Sequence, residues 1–271
     1  MQAKGALKFT KMQGLGNDFI LVENWDKKIE QPAALARRIC ARRLSAGADG
    51  LMLIEPSAGA DARMHFLNAD GSEAEMCGNG LRCAMEFAAE LELVPGDHAV
   101  FLTGAGELEA WRLAPGLIRT AMPPAAPFRI LTVCGYSCYL TSTGVPHAVV
   151  PLRKTELDEI EVDVLGRAIR FSDELAPEGA NVDFIEMPDR DTIRIRTYER
   201  GVEAETLACG TGMAAAGAYA HRFLEPREKR RILSAGGDVL TVEIRGDGKN
   251  PGEIFLSGPA QTAFSGKMDL K

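Results

Sequence analysis

Hydrophobic and polar residues alternate over short stretches along most of this chain. Such alternation predicts β-strands, because successive side chains of a strand point to opposite faces of the sheet. Continuous short apolar runs predict strands that are buried on both faces. We expect strands near residues 7–12, 19–22, 51–54, 63–67, 99–121, 130–141, 147–152, 182–187 and 192–199, and again after residue 225.

Helical spacing of apolar residues is confined to a few segments. It predicts helices over 32–43, 78–93, 161–171 and 210–224. Each half of the chain therefore consists mainly of strands and has one prominent helix. The expected fold class is α/β, of the α+β type, with mostly antiparallel sheets.

The division into domains is predicted from a proline-rich stretch, MPPAAP, at residues 122–127. The chain has 271 residues, which is enough for about two domains of ordinary size. We expect an N-terminal domain over 1–122 and a C-terminal domain over 128–263. The last few C-terminal residues are expected to return to the first domain.

The two halves contain an internal repeat. The segment ARMHFLNADGSEAEMCGNGLRCAMEFAAELE (62–92) aligns without a gap with RIRTYERGVEAETLACGTGMAAAGAYAHRFL (194–224), which places Cys77 on Cys209. NDFI (17–20) also resembles NVDFI (181–185). Two copies of one unit predict two pseudo-symmetric domains, facing each other across a cleft that holds the active site.

Each copy places a cysteine and two glycines at the start of a helix. The first backbone N–H groups of a helix have no intrahelical partner, and they attract anions together with the helix dipole. A cysteine at this position is expected to have a lowered pKa. Two such thiols on opposite sides of one carbon could invert it, one removing a proton and the other donating one.

Composition and charge exclude several other functions. The sequence is 46% hydrophobic and 25% charged, as in ordinary globular proteins, and its net charge of −7 disfavours nucleic-acid binding. No apolar run is long enough to cross a membrane and no signal peptide is visible, so we expect a cytoplasmic protein. Its six cysteines are then expected to be reduced thiols. Their spacing does not favour a metal site.

Six segments carry a family signature. They are KMQGLGNDFILVE (11–23), GADGLMLIEP (47–56), FLNADGSEAEMCGNGLRC (66–83), GVPHAVV (144–150), EGANVDFIEM (178–187) and TYERGVEAETLACGTG (197–212). Together they resemble the diaminopimelate epimerase family. The resemblance implies an isomerase of lysine and peptidoglycan precursor biosynthesis that interconverts LL- and meso-diaminopimelate. It also implies two domains, each with a curved sheet wrapped around a central helix, no cofactor such as pyridoxal phosphate, and a homodimer.

The resemblance also implies roles for individual residues. Cys77 and Cys209 would be the acid/base pair, flanked and tuned by His147 and Glu199. The substrate would be bound by Asn17, Asn68, Gly78, Asn79, Asn181, Glu199, Arg200, Gly210 and Thr211. Among these, Arg200 suits the distal carboxylate of the substrate, because a guanidinium group can bind a carboxylate through two parallel hydrogen bonds.

The chain departs from the family pattern at two positions. Many relatives have Asn where this chain has Val145, and Gln where it has Gly50. Both positions belong to the surroundings of the substrate, so the reaction type is unaffected while the substrate range is left open. An alternative is therefore another cofactor-independent racemase on the same scaffold, acting for example on histidine.

Two further alternatives belong to other classes. A thiol redox protein would need a resolving cysteine close in sequence, and neither Cys77 nor Cys209 has one. A non-catalytic anion-binding protein would explain the helix starts but not the paired cysteines. Without the repeat and the resemblance, the asparagines would be interpreted as turn residues and Glu199 with Arg200 as a surface ion pair.

Overall fold

The computed structural model describes residues 6–74, 77–247 and 250–269. The chain divides into two compact units, one formed by residues 1–120 with 258–271 and the other by residues 121–257. In the described residues, no helix is both long and apolar enough to cross a lipid bilayer.

The first unit combines a mostly antiparallel sheet with two helices. The elements are β1 (Ala6–Gly14), β2 (Asn17–Glu23), α1 (Pro32–Ile39), β3 (Gly50–Glu55), β4 (Ala62–Asn68), α2 (Gly78–Glu90), β5 (His98–Thr103), β6 (Gly106–Ala114), β7 (Leu117–Met122) and, near the C-terminus, β17 (Gln261–Asp269). Strand pairs β1/β2, β3/β4, β5/β6 and β6/β7 are antiparallel, as is the pair of β1 with β17, whereas β2/β3 and β4/β5 are parallel.

Helix α2 is the centre of the first unit. Its residues from Asn79 to Ala88 are all buried, and the helix packs against β1, β2, β3 and β6. A helix that is buried on every side needs small or apolar residues all round, and GNGLRCAMEFAAE provides them at most positions. Each buried Leu, Met or Phe stabilises the core by roughly 1.5–3 kcal/mol. Helix α1 packs elsewhere, in a separate hydrophobic cluster that contains Leu35, Ile39 and Leu53.

The second unit repeats this arrangement. The elements are β8 (Arg129–Val133), β9 (Tyr136–Ser142), β10 (Pro146–Pro151), α3 (Glu156–Glu159), α4 (Val162–Arg170), a 3-10 turn (Asp173–Leu175), β11 (Asn181–Glu186), β12 (Thr192–Glu199), β13 (Ala204–Thr206), α5 (Gly210–Phe223), β14 (Lys229–Leu233), β15 (Val239–Asp247) and β16 (Asn250–Pro259). Strand pairs β8/β9, β9/β10, β11/β12, β12/β13, β14/β15 and β15/β16 are antiparallel, whereas β10/β11 and β12/β14 are parallel.

Helix α5 is the central helix of the second unit. It is buried from Gly212 to His221 and packs against β9, β10, β11, β12 and β15. Its run of alanines and glycines lets the strands approach closely: an added Cβ at Gly217, for example, would overlap the side chain of Val242. The predicted class, with a mostly antiparallel sheet around one central helix in each unit, is confirmed.

Some element boundaries differ from the sequence-based predictions. Helix α1 ends at Ile39 instead of residue 43, and the segment that follows contains left-handed backbone conformations at Arg43 and Gly47 (φ 70° and 69°), which a helix does not accommodate. Helix α2 ends at Glu90. His147 lies within β10, at the start of the strand that we expected near 147–152, and is fully buried.

Candidate active site

Cys77 immediately precedes the first residue of α2. Its backbone is extended (φ −146°, ψ 117°), so the chain enters the helix directly after the thiol. The Cys77 Sγ donates a hydrogen bond of 3.4 Å to Asn17 Oδ1. The Asn17 Nδ2 in turn donates to Asp49 Oδ2 at 2.7 Å. Because a carboxylate only accepts hydrogen bonds, Asp49 turns the Asn17 amide so that its oxygen faces the thiol.

An ionic network holds Asp49 in place. Arg42 Nη2 contacts both Asp49 Oδ1 at 2.8 Å and Asp18 Oδ1 at 2.6 Å, and Lys11 Nζ lies 2.9 Å from Asp18 Oδ2. Burial acts against the charged form of Asp18, but the hydrogen bonds from Lys11 and Arg42 outweigh it and lower its pKa. Asp18 therefore stays ionised and keeps the network together.

The first turn of α2 contains the residues that we expect to bind the α-carboxylate. Apart from its two chain neighbours and the backbone of its own helix, no described atom lies within 4 Å of the position that a Cβ on Gly78 would take, which leaves room for a ligand. The Asn79 Oδ1 accepts a hydrogen bond of 2.7 Å from Arg82 Nη2. Arg82 is fully buried, and its Nε donates to the carbonyl of Pro259 at 3.2 Å.

Asn68 is held in a local turn at the end of β4. Its Nδ2 donates to Ser72 Oγ at 3.0 Å, and its backbone carbonyl accepts from Gly71 N at 2.9 Å. These contacts match the turn interpretation of Asn68. Its role in substrate binding remains a prediction.

Cys209 has the equivalent position before α5, again with an extended backbone (φ −121°, ψ 110°). Its Sγ lies 3.4 Å from Thr211 Oγ1. Burial raises the pKa of the Cys209 thiol to about 12, and the negative charges of Asp183 and Glu199 act in the same direction. Hydrogen bonds from Thr211 and from the Gly212 backbone lower the pKa by less. The helix start alone therefore does not produce the lowered pKa that we expected for this cysteine.

A buried acid–imidazole pair lies in the same unit. His147 Nδ1 is 2.7 Å from Asp183 Oδ2, and both side chains are fully buried. The Thr197 hydroxyl donates to Asp183 Oδ1 at 2.9 Å. Sequence analysis missed Asp183, although a charged residue inside the apolar strand 182–187 was a visible signal that it must have a polar partner.

Asn181 connects this pair to the loop after β12. Its Nδ2 lies 3.4 Å from His147 Nε2, and its Oδ1 accepts a hydrogen bond of 2.7 Å from the backbone N–H of Arg200. The Arg200 guanidinium donates to the carbonyl of Glu178 at 3.4 Å. Burial raises the pKa of the neighbouring Glu199, and the negative charge of Asp183 raises it further.

The short similarity between NDFI and NVDFI joins strands that are not equivalent. In the first unit, parallel strands β2 and β3 place Phe19 beside Gly50. In the second unit, parallel strands β10 and β11 place His147 beside Asn181. By topology β11 therefore corresponds to β3, so Asn17 on β2 does not correspond to Asn181. Met52 and Asp183 lie against the equivalent glycines Gly80 and Gly212, and this matches Gly50 with Asn181, each two residues earlier.

The predicted site residues thus gather in two clusters. Asn17, Cys77, Gly78 and Asn79 lie around the start of α2, whereas His147, Asn181, Glu199, Cys209, Gly210 and Thr211 lie around or beside the start of α5. Within the described part of the chain, no group of three His, Cys, Asp or Glu side chains is arranged to hold a metal ion.

Comparison with known proteins identifies relatives that match nearly the whole of this chain. The sequence profile of the diaminopimelate epimerase family matches residues 9–117 and 139–263. A diaminopimelate epimerase from Hydrogenobaculum sp. is 41% identical over 97% of this chain and 98% of its own. One from Aquifex aeolicus is 40% identical with the same coverage of both chains.

Solved structures with much lower sequence identity share the fold. A PhzF-family phenazine biosynthesis protein from Bacillus anthracis has a TM-score of 0.73 at 16% identity, and covers 97% of this chain and 99% of its own. A probable proline racemase from Agrobacterium radiobacter has a TM-score of 0.68 at 18% identity, and covers 98% of this chain and 93% of its own.

Proposed function

This chain belongs to the diaminopimelate epimerase family, and on that premise we propose that it interconverts LL- and meso-diaminopimelate with Cys77 and Cys209 as a base and acid pair. Membership of this family, which the cysteine motifs indicated, is confirmed by the family profile and by the relatives. The observation that carries the proposal is the matched setting of the two thiols: each ends an extended segment at the first turn of a buried central helix.

The reaction inverts one carbon by moving two protons. One cysteine, as the thiolate, removes the α-proton from one face, and the electron pair left behind spreads into the adjacent carboxylate. The other cysteine, as the thiol, donates its proton to the opposite face. A thiol with a raised pKa, such as Cys209, becomes a strong base once it is deprotonated, which suits removal of a weakly acidic proton.

The α-carboxylate gains charge during the reaction and needs hydrogen-bond donors. We assign this role to the first turns of the two helices, at Gly78, Asn79, Gly210 and Thr211. Their backbone N–H groups and the helix dipoles favour an anion, and they favour it most when charge accumulates in the transition state.

The rest of the substrate is assigned to the polar side chains near the two helix starts. Arg200 would bind the distal carboxylate, since its guanidinium group has several N–H donors in one plane. Asn17, Asn68, Asn181 and Glu199 would recognise the remaining polar groups. His147 and Glu199 would flank and tune the two thiols, and we extend the role of His147 below.

Three expectations accompany this function. Residues 1–122 and 128–263 would act as two domains that contribute one thiol each. The two thiols perform both proton transfers, so the reaction needs neither pyridoxal phosphate nor a metal ion. The protein would work in the cytoplasm as a homodimer, which light scattering on the purified chain would test.

The test is a product analysis with reduced protein and no added cofactor. We expect LL-diaminopimelate to give meso-diaminopimelate, and the reverse reaction to give the LL form, on a chiral column. L-histidine is the matched alternative substrate, because it has the α-amino acid group but no distal carboxylate for Arg200. Racemisation of histidine without turnover of diaminopimelate would overturn the proposal in favour of another racemase on this scaffold.

A further inference from the structure

The fully buried carboxylate of Asp183 has no role in the reaction as described above. It lies on β11, within hydrogen-bond distance of His147 on the neighbouring strand β10 and of Thr197 on β12. Its Oδ1 also occupies the space that a Cβ on Gly212 would need. Gly212 lies in the first turn of α5, three residues after Cys209, so the Asp183 carboxylate lies directly beneath that turn.

The hydrogen bonds from the Arg200 backbone through Asn181 and His147 to Asp183 form a chain in which each donor and acceptor is determined by the two ends. At one end, the carboxylate can only accept, so His147 Nδ1 must carry a proton. At the other end, the backbone N–H of Arg200 can only donate, so it fixes the oxygen of the Asn181 amide toward itself. The Asn181 NH₂ group is then left facing His147 Nε2 at 3.4 Å. A neutral imidazole protonated on Nδ1 satisfies both neighbours.

We propose that Asp183 is a positioning residue of the active site, which fixes the Nδ1–H tautomer of His147 and through it the orientation of the Asn181 amide. The inference rests on the proposed function, because it assigns His147 and Asn181 to the substrate site. It adds a residue that does not touch the substrate itself and acts only through its neighbours.

Reversing one hydrogen bond at Asp183 would reverse the whole chain. In Asp183→Asn, the new side-chain NH₂ group can donate to His147 Nδ1, which favours the tautomer with the proton on Nε2. That proton would then face the NH₂ group of Asn181, and two donors cannot form a hydrogen bond. Asn181 would have to turn, and it would lose the bond from the Arg200 N–H.

Asp183 also affects the acidity of the neighbouring thiol. After burial itself, its negative charge is the largest cause that raises the pKa of Cys209. The substitution Asp183→Asn removes this charge while keeping the shape of the side chain. Its effect on the reaction should therefore combine a misoriented amide with a changed proton affinity at Cys209.

The decisive experiment measures the His147 tautomer directly. Long-range ¹H–¹⁵N NMR on protein labelled in its histidines distinguishes Nδ1–H from Nε2–H, and the chain has only four histidines to assign. The His147 signal is identified by its loss in His147→Gln. We expect Nδ1–H in the unsubstituted chain and Nε2–H in Asp183→Asn, with kcat lowered about 10- to 100-fold and KM changed by less.

Glu186→Gln is the matched control, because Glu186 is a buried carboxylate on the same strand that bonds to the backbone N–H of Thr155 instead of His147. It should leave both the tautomer and kcat unchanged.

An Nε2–H or doubly protonated ring in the unsubstituted chain would overturn the proposal, even if Asp183→Asn failed to fold. A tautomer change without an effect on kcat would also overturn it. The NMR measurement needs no substrate, so a failure of the proposed function would be recognised separately, by the absence of turnover in the unsubstituted chain.

Discussion

Beneath Gly80, in the first turn of α2, lies the thioether end of Met52; beneath Gly212, at the same place in α5, lies the carboxylate of Asp183. The surroundings continue this difference. Phe19, on β2, contacts the ring of Phe66 edge to face, with centroids 5.7 Å apart. At the topologically equivalent position on β10 lies His147, bound to Asp183.

The difference shows that the same Cys-Gly-x-Gly helix start can pack on an apolar surface in one unit and on a hydrogen-bonded polar pair in the other. The surface that Met52, Phe19 and Phe66 form beneath α2 is apolar, and the Cys77 thiol bonds to the neutral amide of Asn17. A surface of hydrogen-bonded acid and imidazole is fixed in shape and carries charge close to Cys209. The repeat thus preserves the position of the thiols, while each unit adjusts the surroundings of its own thiol.

Removal of either thiol should have the largest effect. We expect Cys77→Ala and Cys209→Ala each to lower kcat/KM for epimerisation by about 10²–10⁴-fold or more, since each loses one proton-transfer group. Chiral chromatography of the product measures this. Cys134→Ala, at an exposed turn, is the matched control and should keep full activity. Undiminished turnover in either active-site variant would remove that cysteine from the mechanism.

Alanine substitutions at the two equivalent glycines, Gly80 and Gly212, should lower the free energy of unfolding by different amounts. In Gly212→Ala the new Cβ overlaps Asp183, which is fixed by His147 and Thr197, so we expect a loss of about 2 kcal/mol in the free energy of unfolding. In Gly80→Ala the overlapped atom is the mobile end of Met52, and alanine favours the helix, so the net loss should be below about 1 kcal/mol. Urea denaturation measures both. Equal losses would contradict the difference in rigidity.

The two thiols should also differ in reactivity. At pH 8 we expect iodoacetamide to alkylate Cys77 at least about tenfold faster than Cys209, because Cys77 is more exposed and the raised pKa of Cys209 leaves very little thiolate. Mass spectrometry of the peptides resolves the two sites in one sample. Faster alkylation of Cys209 would show that its surroundings favour the thiolate.

Alkaline pH should reduce stability through the buried Cys209 thiol. Its folded-state pKa of about 12 lies above that of an unfolded cysteine, so its contribution is fully present below about pH 9 and is lost progressively as pH rises toward 12. At pH 10 the loss relative to pH 7 should be roughly 1–2 kcal/mol from this group. Urea titrations at both pH values should show a smaller loss in Cys209→Ala and an unchanged loss in Cys134→Ala. An identical loss in both variants would exclude this contribution.

The sequence was sufficient to predict the elements that carry the thiols. The gapless repeat over 62–92 and 194–224 implied that Cys77 and Cys209 precede equivalent helices, and each cysteine is the residue before its helix. This worked because glycine-rich helix starts and apolar helices have local patterns that need no knowledge of distant contacts.

The contacts between strands could not be predicted in the same way. Asp183 is recognisable as a charged residue in an apolar strand, but its partner His147 is 36 positions away and becomes its neighbour only through the parallel pairing of β10 and β11. The contacts of Met52 with Gly80 and of Asp183 with Gly212 match Gly50 with Asn181. An added Cβ at Gly50 would overlap the ring of Phe66, so the apolar surface leaves no room there for a larger side chain.

The most direct test of the two-thiol account is the isotope pattern at early conversion. Reduced protein is incubated with LL-diaminopimelate in D₂O and the α-protons are followed by NMR. Two separate proton carriers predict that the meso product carries deuterium at the inverted carbon, while the remaining LL substrate keeps its α-proton. Deuterium entering the remaining substrate as fast as the product would indicate a single carrier, and would contradict the assignment of Cys77 and Cys209 to opposite faces of the substrate.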